Sequence, residues 1–405
     1  MNLSPTTERT EVIDVLRGFA IFGMFTVNMT ADALWNDAFG DLPRWSADFL
    51  AMFFVNLFTN GKFVTIFSFL FGVGFYIQWQ NCIDNNVAIE RFWLKRLSGL
   101  LIIGVTANAL TAPAGILVDY AIFGLGLLLC YRLAPRYMLF VVLLCFLVAK
   151  LSEPVISTFW PVDIVAGGTA PDLHSAVHDA MDQAGPAGGF LEIARLGLLH
   201  LWVTFTSWNY YFGEIDVFGL MLLGLYVGRI GAFADEQIRM SLARRVAPWL
   251  ITIGFLGCVI WIAMDTFGLG KETLQHHDFI ADVFAWPIGM PVLGLGYAAG
   301  IVLLYGKDSW RRWLGIFSPI GRMALTNYLF TSFVGAFVGF QWGLGLYGKL
   351  FPATGLLIVV ALLPVQAWLS RWWLANFMFG PVEWLWRYWT YGQAPPMRRI
   401  SQVDA

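Results

Sequence analysis

Charge is scarce in this chain: 13% of its 405 residues are Asp, Glu, Lys or Arg, against 58% apolar. A globular domain in water carries about 25% charge, so water is excluded as the main solvent. Clustered thiols are missing too. Cys82, Cys130, Cys145 and Cys258 form no CxxC pair, which removes a disulfide or thiolate-metal framework. No HExxH occurs, and no metal site is expected. His174 and His178, one helical turn apart beside Asp172, Asp179 and Asp182, read as part of a solvated helix, and His276-His277-Asp278 is a weaker cluster still. With a net charge of −2 and no basic block, nucleic acid is not an expected partner. A signal-peptide pattern is also lacking, because residues 1–11 carry two acids and one Arg and the following run holds Asp14 and Arg17. The first apolar run is expected to be retained.

What is present is a series of apolar runs approaching the roughly 20 residues that cross a bilayer. They predict spans near 12–34, 61–80, 93–111, 115–132, 136–152, 212–231, 247–266, 282–305, 318–340 and 354–375. Each is expected to be helical, since a helix satisfies its own backbone hydrogen bonds in lipid. The expected fold is therefore all-α, a polytopic transmembrane helical bundle of about ten spans. One integral-membrane domain covers 1–405, with an N-terminal half to about 152, an outer segment at about 153–211 and a C-terminal half from about 212.

Basic residues set the orientation. With both termini inside, the inner segments hold Arg91, Lys95, Arg96, Arg132, Arg136, Arg229, Arg239, Arg244, Arg245, Lys307, Arg311, Arg312 and four arginines after residue 370. The outer segments hold Arg44, Arg195, Lys271 and Lys349, and residues 152–190 contain five acids and no Lys or Arg. A crossing at 187–209 would invert every later loop. That stretch is therefore expected to be a re-entrant or interfacial helix on the outer side.

Polar groups inside spans need partners or a purpose. Asp14, Arg17, Gly18 and Asn28 fall in one stripe of the first span, and Asp14–Arg17 is an i,i+3 pair. GRMALTNYLF, residues 321–330, sets Arg322 and Thr326 one turn apart, with Asn327 about 8 Å deeper. Arg322 suits a phosphate or an acid, while Asn327 requires an internal partner. Lys62, Asn28 and Asn108, with Asp119, Glu214, Asp216 and His200, are candidates for an outer polar cavity. Near the C-terminus, Glu383 and Arg387 have the i,i+4 order of a helical ion pair, on a Trp-rich segment suited to lie along the inner surface.

Four strings, IDVLRGFAIFGMFTVN (13–28), GKFVTIFSFLFGVGF (61–75), GRMALTNYLF (321–330) and GPVEWLWRYWTY (380–391), resemble the YeiB family of bacterial membrane proteins, built on domain of unknown function 418. Through its D-x-x-R-G opening that family is similar to the membrane acyltransferase superfamily. The resemblance implies an inner-membrane protein with cytosolic acyl-CoA as donor and a hydroxyl or amine acceptor at the outer face. It would place Asp14, Arg17, Gly18, Arg322, Thr326 and Asn327 at the donor end. One departure matters: where the family pattern has His and Gly-Asp, this chain has Ala107 and Ala114-Gly115. Neither can move a proton, which leaves Asp119 or His200 as the replacement base. Three functions follow as expectations: acyl transfer, a non-catalytic accessory role binding a lipid, pigment or protein partner, or transport of a small amphiphile.

Overall fold

A computed structural model describes residues 7–30, 42–111, 115–159, 170–206, 208–269 and 286–398. Among these residues the secondary structure is helical apart from one isolated antiparallel bridge between Phe377 and Arg398. The N-terminal helices are α1 (Thr7–Met29), α2 (Ala47–Phe58), α3 (Lys62–Asp84), α4 (Ile89–Thr111), α5 (Ile116–Cys130) and α6 (Pro135–Phe159). A middle group follows: α7 (Ala170–Ala184), α8 (Phe190–Thr206) and α9 (Trp208–Gly213). The remainder are α10 (Ile215–Arg229), α11 (Glu236–Asp265), α12 (Trp286–Tyr305), α13 (Asp308–Leu314), α14 (Phe317–Arg322), α15 (Ala324–Gly339), α16 (Pro352–Asn376) and α17 (Pro381–Tyr391).

The protein is an all-α, polytopic helical membrane bundle. A helix lies in each of the ten expected spans. Five segments, Glu11–Met29, Ala47–Asp84, Glu236–Met264, Ile288–Tyr305 and Pro352–Asn376, are long and apolar enough to cross a bilayer, and α5 and α15 are shorter apolar helices. The faces they turn outward are apolar as well: Trp249, Leu357 and Trp368 are all exposed. In water such surfaces would drive association, whereas in hydrocarbon they cost nothing.

Two features differ from the sequence expectation. First, α2 fills a stretch to which no span was assigned. Its N-cap Ser46 accepts a hydrogen bond from the Phe49 N–H, and its 12 residues reach about 18 Å, too short to cross. Gly61, at φ 75°, turns the chain from α2 into α3. Second, the span at 318–340 is broken at Met323 into α14 and α15. The stretch 187–209, expected to be a re-entrant or interfacial helix, contains the helix α8. Phe190 at its start packs edge-on against Trp342, and Tyr210 just past its end reaches Asp119 on α5. Between these attachments α8 packs against α4.

One large core joins helices from both halves of the chain, with Val15, Leu70, Trp93, Met221, Leu225 and Ile320 all buried within it. Small residues allow the closest crossings, as is usual in membrane bundles. Where α3 crosses α10, Gly72 lies on the Met221 carbonyl and Gly224 on the Phe69 carbonyl, so that any side chain at either position would collide with backbone.

Candidate functional site

The first and third motif strings form one structural unit. A Cβ on Gly18 would collide with the Phe317 carbonyl, and one on Gly321 with the Asp14 carbonyl. These two glycines bring α1 and α14 into backbone contact, which sets Arg17 and Arg322 at the same end of the bundle. Arg17 pairs with Asp14 at 3.4 Å, the i,i+3 contact that the spacing predicts.

The break at Met323 exposes the N-terminus of α15, with N–H groups that no preceding turn can accept. Glu383 supplies the missing acceptor from α17. Its Oε1 takes the Leu325 N–H at 2.6 Å and the Thr326 N–H at 2.9 Å, and its Oε2 takes the Thr326 hydroxyl at 2.5 Å. A carboxylate is also favoured at the positive end of a helix dipole. Burial pushes the Glu383 carboxyl up, and the hydrogen bonds from Thr326 and Leu325 pull against that shift. Gly380 has no room for a side chain, because a Cβ there would collide with the Glu383 carboxylate and come within 2.8 Å of Thr326 Oγ1. Pro381 occupies the first turn of α17, where a missing N–H is harmless.

Asn327 closes the other side of the break. Its side-chain amide donates to the Ile320 carbonyl at 3.0 Å and to Ser370 Oγ at 3.1 Å. The internal partner that its depth demands is therefore the last turn of α14 together with α16. Thr326 and Asn327 both hold the bundle together around the break.

Beside this joint lies a cavity of about 210 Å³. Its mouth carries Arg17, Arg96, Arg322 and Arg387, its throat is lined by Met24, Phe67, Phe71, Gly74, Leu100 and Tyr328, and its floor by Ile116, Leu117 and Tyr120. Two mouth arginines lie on aromatic faces, Arg96 over Trp386 at 3.7 Å and Arg387 over Phe379 at 4.4 Å. The helix α17 covers this end: the Trp386 indole N–H donates to the Arg96 carbonyl at 2.8 Å and the Trp389 indole to Ser98 Oγ at 3.0 Å. On the floor, the Tyr120 hydroxyl is 2.9 Å from Ser68 Oγ.

Of the expected outer residues, Asp119, Glu214 and Asp216 come together near Lys150, while Lys62 lies elsewhere. Lys62 is fully buried between α2 and α12, where its ammonium donates to the Asn56 carbonyl at 2.6 Å and lies 2.7 Å from Met290 Sδ. It caps the last turn of α2, a helix the sequence reading did not contain. Asp119 accepts from the Tyr210 hydroxyl at 2.9 Å, and Lys150 pairs with Asp216 at 3.4 Å. Asn108 is buried on α4, Asn28 is half-buried on α1 and His200 half-buried on α8. The side chains of Asp172, His174 and His178, and all of His276-His277-Asp278, lie outside the described residues.

Sequence reasoning missed Arg96, Gly74 and Trp386 as cavity residues. Arg96 read as one more inner-loop charge, and only the position of α17 shows that it faces the same space as Arg17. Glu383 and Arg387 do sit on one helix at i,i+4, but the carboxylate is spent on α15.

Comparison with known proteins agrees with this reading of the motifs. The chain is 30% identical to the uncharacterized protein YxaH of Bacillus subtilis, over 98% of each chain. It belongs to the YeiB family. YeiB of Escherichia coli is 27% identical over 96% of this chain and 98% of its own. An uncharacterized 39.9 kDa protein encoded in the amylase 3′ region of Bacillus acidopullulyticus is 26% identical over 98% of both. The family model described as protein of unknown function DUF418 matches residues 227–393, the part of the YeiB-like chain that carries both GRMALTNYLF and GPVEWLWRYWTY. No solved structure matches.

Proposed function

We propose that the chain is a membrane acyltransferase that binds an acyl-CoA at the arginine-rich mouth and passes the acyl group to a hydroxyl or amine acceptor. A single observation carries this reading: four guanidinium groups ring the entrance to an apolar, aromatic-lined throat. Guanidinium forks match phosphate oxygens, and the throat suits an acyl or pantetheine chain. The excess of Lys and Arg on the loops of this end favours a cytoplasmic mouth, with both termini inside and the chain in the bacterial inner membrane.

Asp119 is the base in this scheme. An acceptor O–H or N–H gives its proton to the Asp119 carboxylate as the new bond to the acyl carbon forms. The C–S bond breaks, and the departing thiolate takes up a proton. Tyr210, which donates to Asp119, would hold that carboxylate in place until an acceptor arrives.

The same engagement of Asp119 favours a second reading, a non-catalytic protein that retains an amphiphile in the cavity. Glu383 is the one carboxylate lining the cavity among the described residues, and it is committed to α15. Thiol release from acyl-CoA by the purified chain, with a panel of alcohol and amine acceptors, separates the two. Acyl transfer requires turnover that falls at least about a hundredfold in Asp119→Asn, in keeping with general-base catalysis. Saturable binding without thiol release would establish the accessory reading.

A further inference from the structure

The charge balance at the mouth goes further than its shape. Arg17, Arg96, Arg322 and Arg387 bring four positive charges, while the carboxylates among them, of the described residues, are Asp14, paired with Arg17, and Glu383, taken up by α15. Glu11, the next nearest acid on α1, pairs with Arg311 at 3.4 Å. At least two positive charges are left over. The arginines also repel one another: Arg96 opposes Arg387 and Arg17, and Arg387 opposes Arg17. Like charges held together in a half-buried cleft are unfavourable unless something of opposite sign completes the set. The positions are rigid as well, since Arg96 and Arg387 are pinned on aromatic rings.

We infer that the mouth is a site for a dianionic phosphate ester with an apolar tail, and that Arg96 and Arg387 read the second negative charge. This rests on the cavity reading above but does not require that the phosphate belong to coenzyme A. A phospholipid with a terminal phosphate would offer the same head. Arg17 and Arg322 approach it from the α1–α14 side, Arg96 and Arg387 from the Trp386 side.

The test uses the full chain in nanodiscs at about pH 8, above the second phosphate pKa of about 6. Octyl phosphate and its singly charged methyl ester share one tail and differ in charge. Octyl phosphate should bind roughly tenfold more tightly, the size of one lost charge-assisted contact. Arg96→Gln and Arg387→Gln should each bring that ratio toward one, and Arg96→Lys should keep most of it. The Arg96→Gln change removes the stacking of the guanidinium on Trp386 but keeps the Trp386 indole bond to the Arg96 backbone carbonyl, and an unchanged Tm shows that the variant is folded. Equal affinities in the parent, or a ratio unchanged by both Gln variants, would overturn the inference. Competition by octanoyl-CoA or by lysophosphatidic acid identifies the source of the head. If octanoyl-CoA binds while the ratio is one, the donor reading survives and this inference falls. If the ratio holds and octanoyl-CoA fails to compete, the dianion site stands and the donor reading falls.

Discussion

The two ends of the bundle use charge in opposite ways. At the far end negative charge gathers instead: Lys150 pairs with Asp216, while Asp119, which takes the neutral Tyr210 hydroxyl, lies near Glu214. At the arginine-rich end the carboxylates are consumed by the fold, and positive charge accumulates around an opening. The contrast separates what polar residues do for the bundle from what remains for a ligand. Glu383, Thr326 and Asn327 are structural in this sense.

That comparison can be broken or sharpened by substitution. The largest effect belongs to the α1–α14 crossing. Gly321→Leu forces the two backbones apart and should prevent recovery of folded protein, whereas Gly74→Leu, whose Cβ would sit 3.9 Å from Arg17, should fold normally. Size-exclusion profiles after extraction distinguish the two. Next is the cap. Glu383→Ala leaves the N-terminus of α15 without its acceptor and should cost about 2–3 kcal/mol, seen as a lowered Tm, with Glu383→Gln losing less. An equal Tm would mean that the break at Met323 is not held by Glu383. At the far end, Tyr210→Phe removes one hydrogen bond to a carboxylate and should cost about 1–2 kcal/mol.

The smallest effect concerns pH. Glu90, exposed at the start of α4, accepts from the Tyr131 hydroxyl at 2.6 Å, which holds its carboxyl below the ordinary glutamate range, with Arg132 adding to the shift. A carboxyl lowered on folding contributes stability above its unfolded pKa, and that contribution fades as pH falls through the folded value. Tm curves of Glu90→Gln and the parent should therefore differ slightly at neutral pH and converge in acid.

Much of the fold was legible because membrane helices announce themselves by composition, and the Asp14–Arg17 pair by spacing. The requirement that Asn327 find a buried partner was legible as well; its identity was not, because the Ile320 carbonyl is exposed only by the break. Pro319 and Gly321 lie just before it, but nothing in Arg322-Met323-Ala324 marks the break itself. It depends on Glu383, 58 residues from Leu325. The helix α2 escaped because its 12 residues are too few for a span. Lys62, placed by its sequence position with the outer polar residues, instead caps that unforeseen helix. The cavity itself joins α1, α3, α4, α5, α14, α15 and α17, and no single stretch of sequence contains it.

The most direct measurement is equilibrium binding of octanoyl-CoA and octyl phosphate to the full chain and to Gly74→Leu, with Tm recorded for both proteins. A working throat predicts saturable binding of at least one of these to the parent and its loss in Gly74→Leu at unchanged Tm. Undiminished binding in that variant, or no binding to the parent by either compound, would contradict the assignment of this cavity as the functional site.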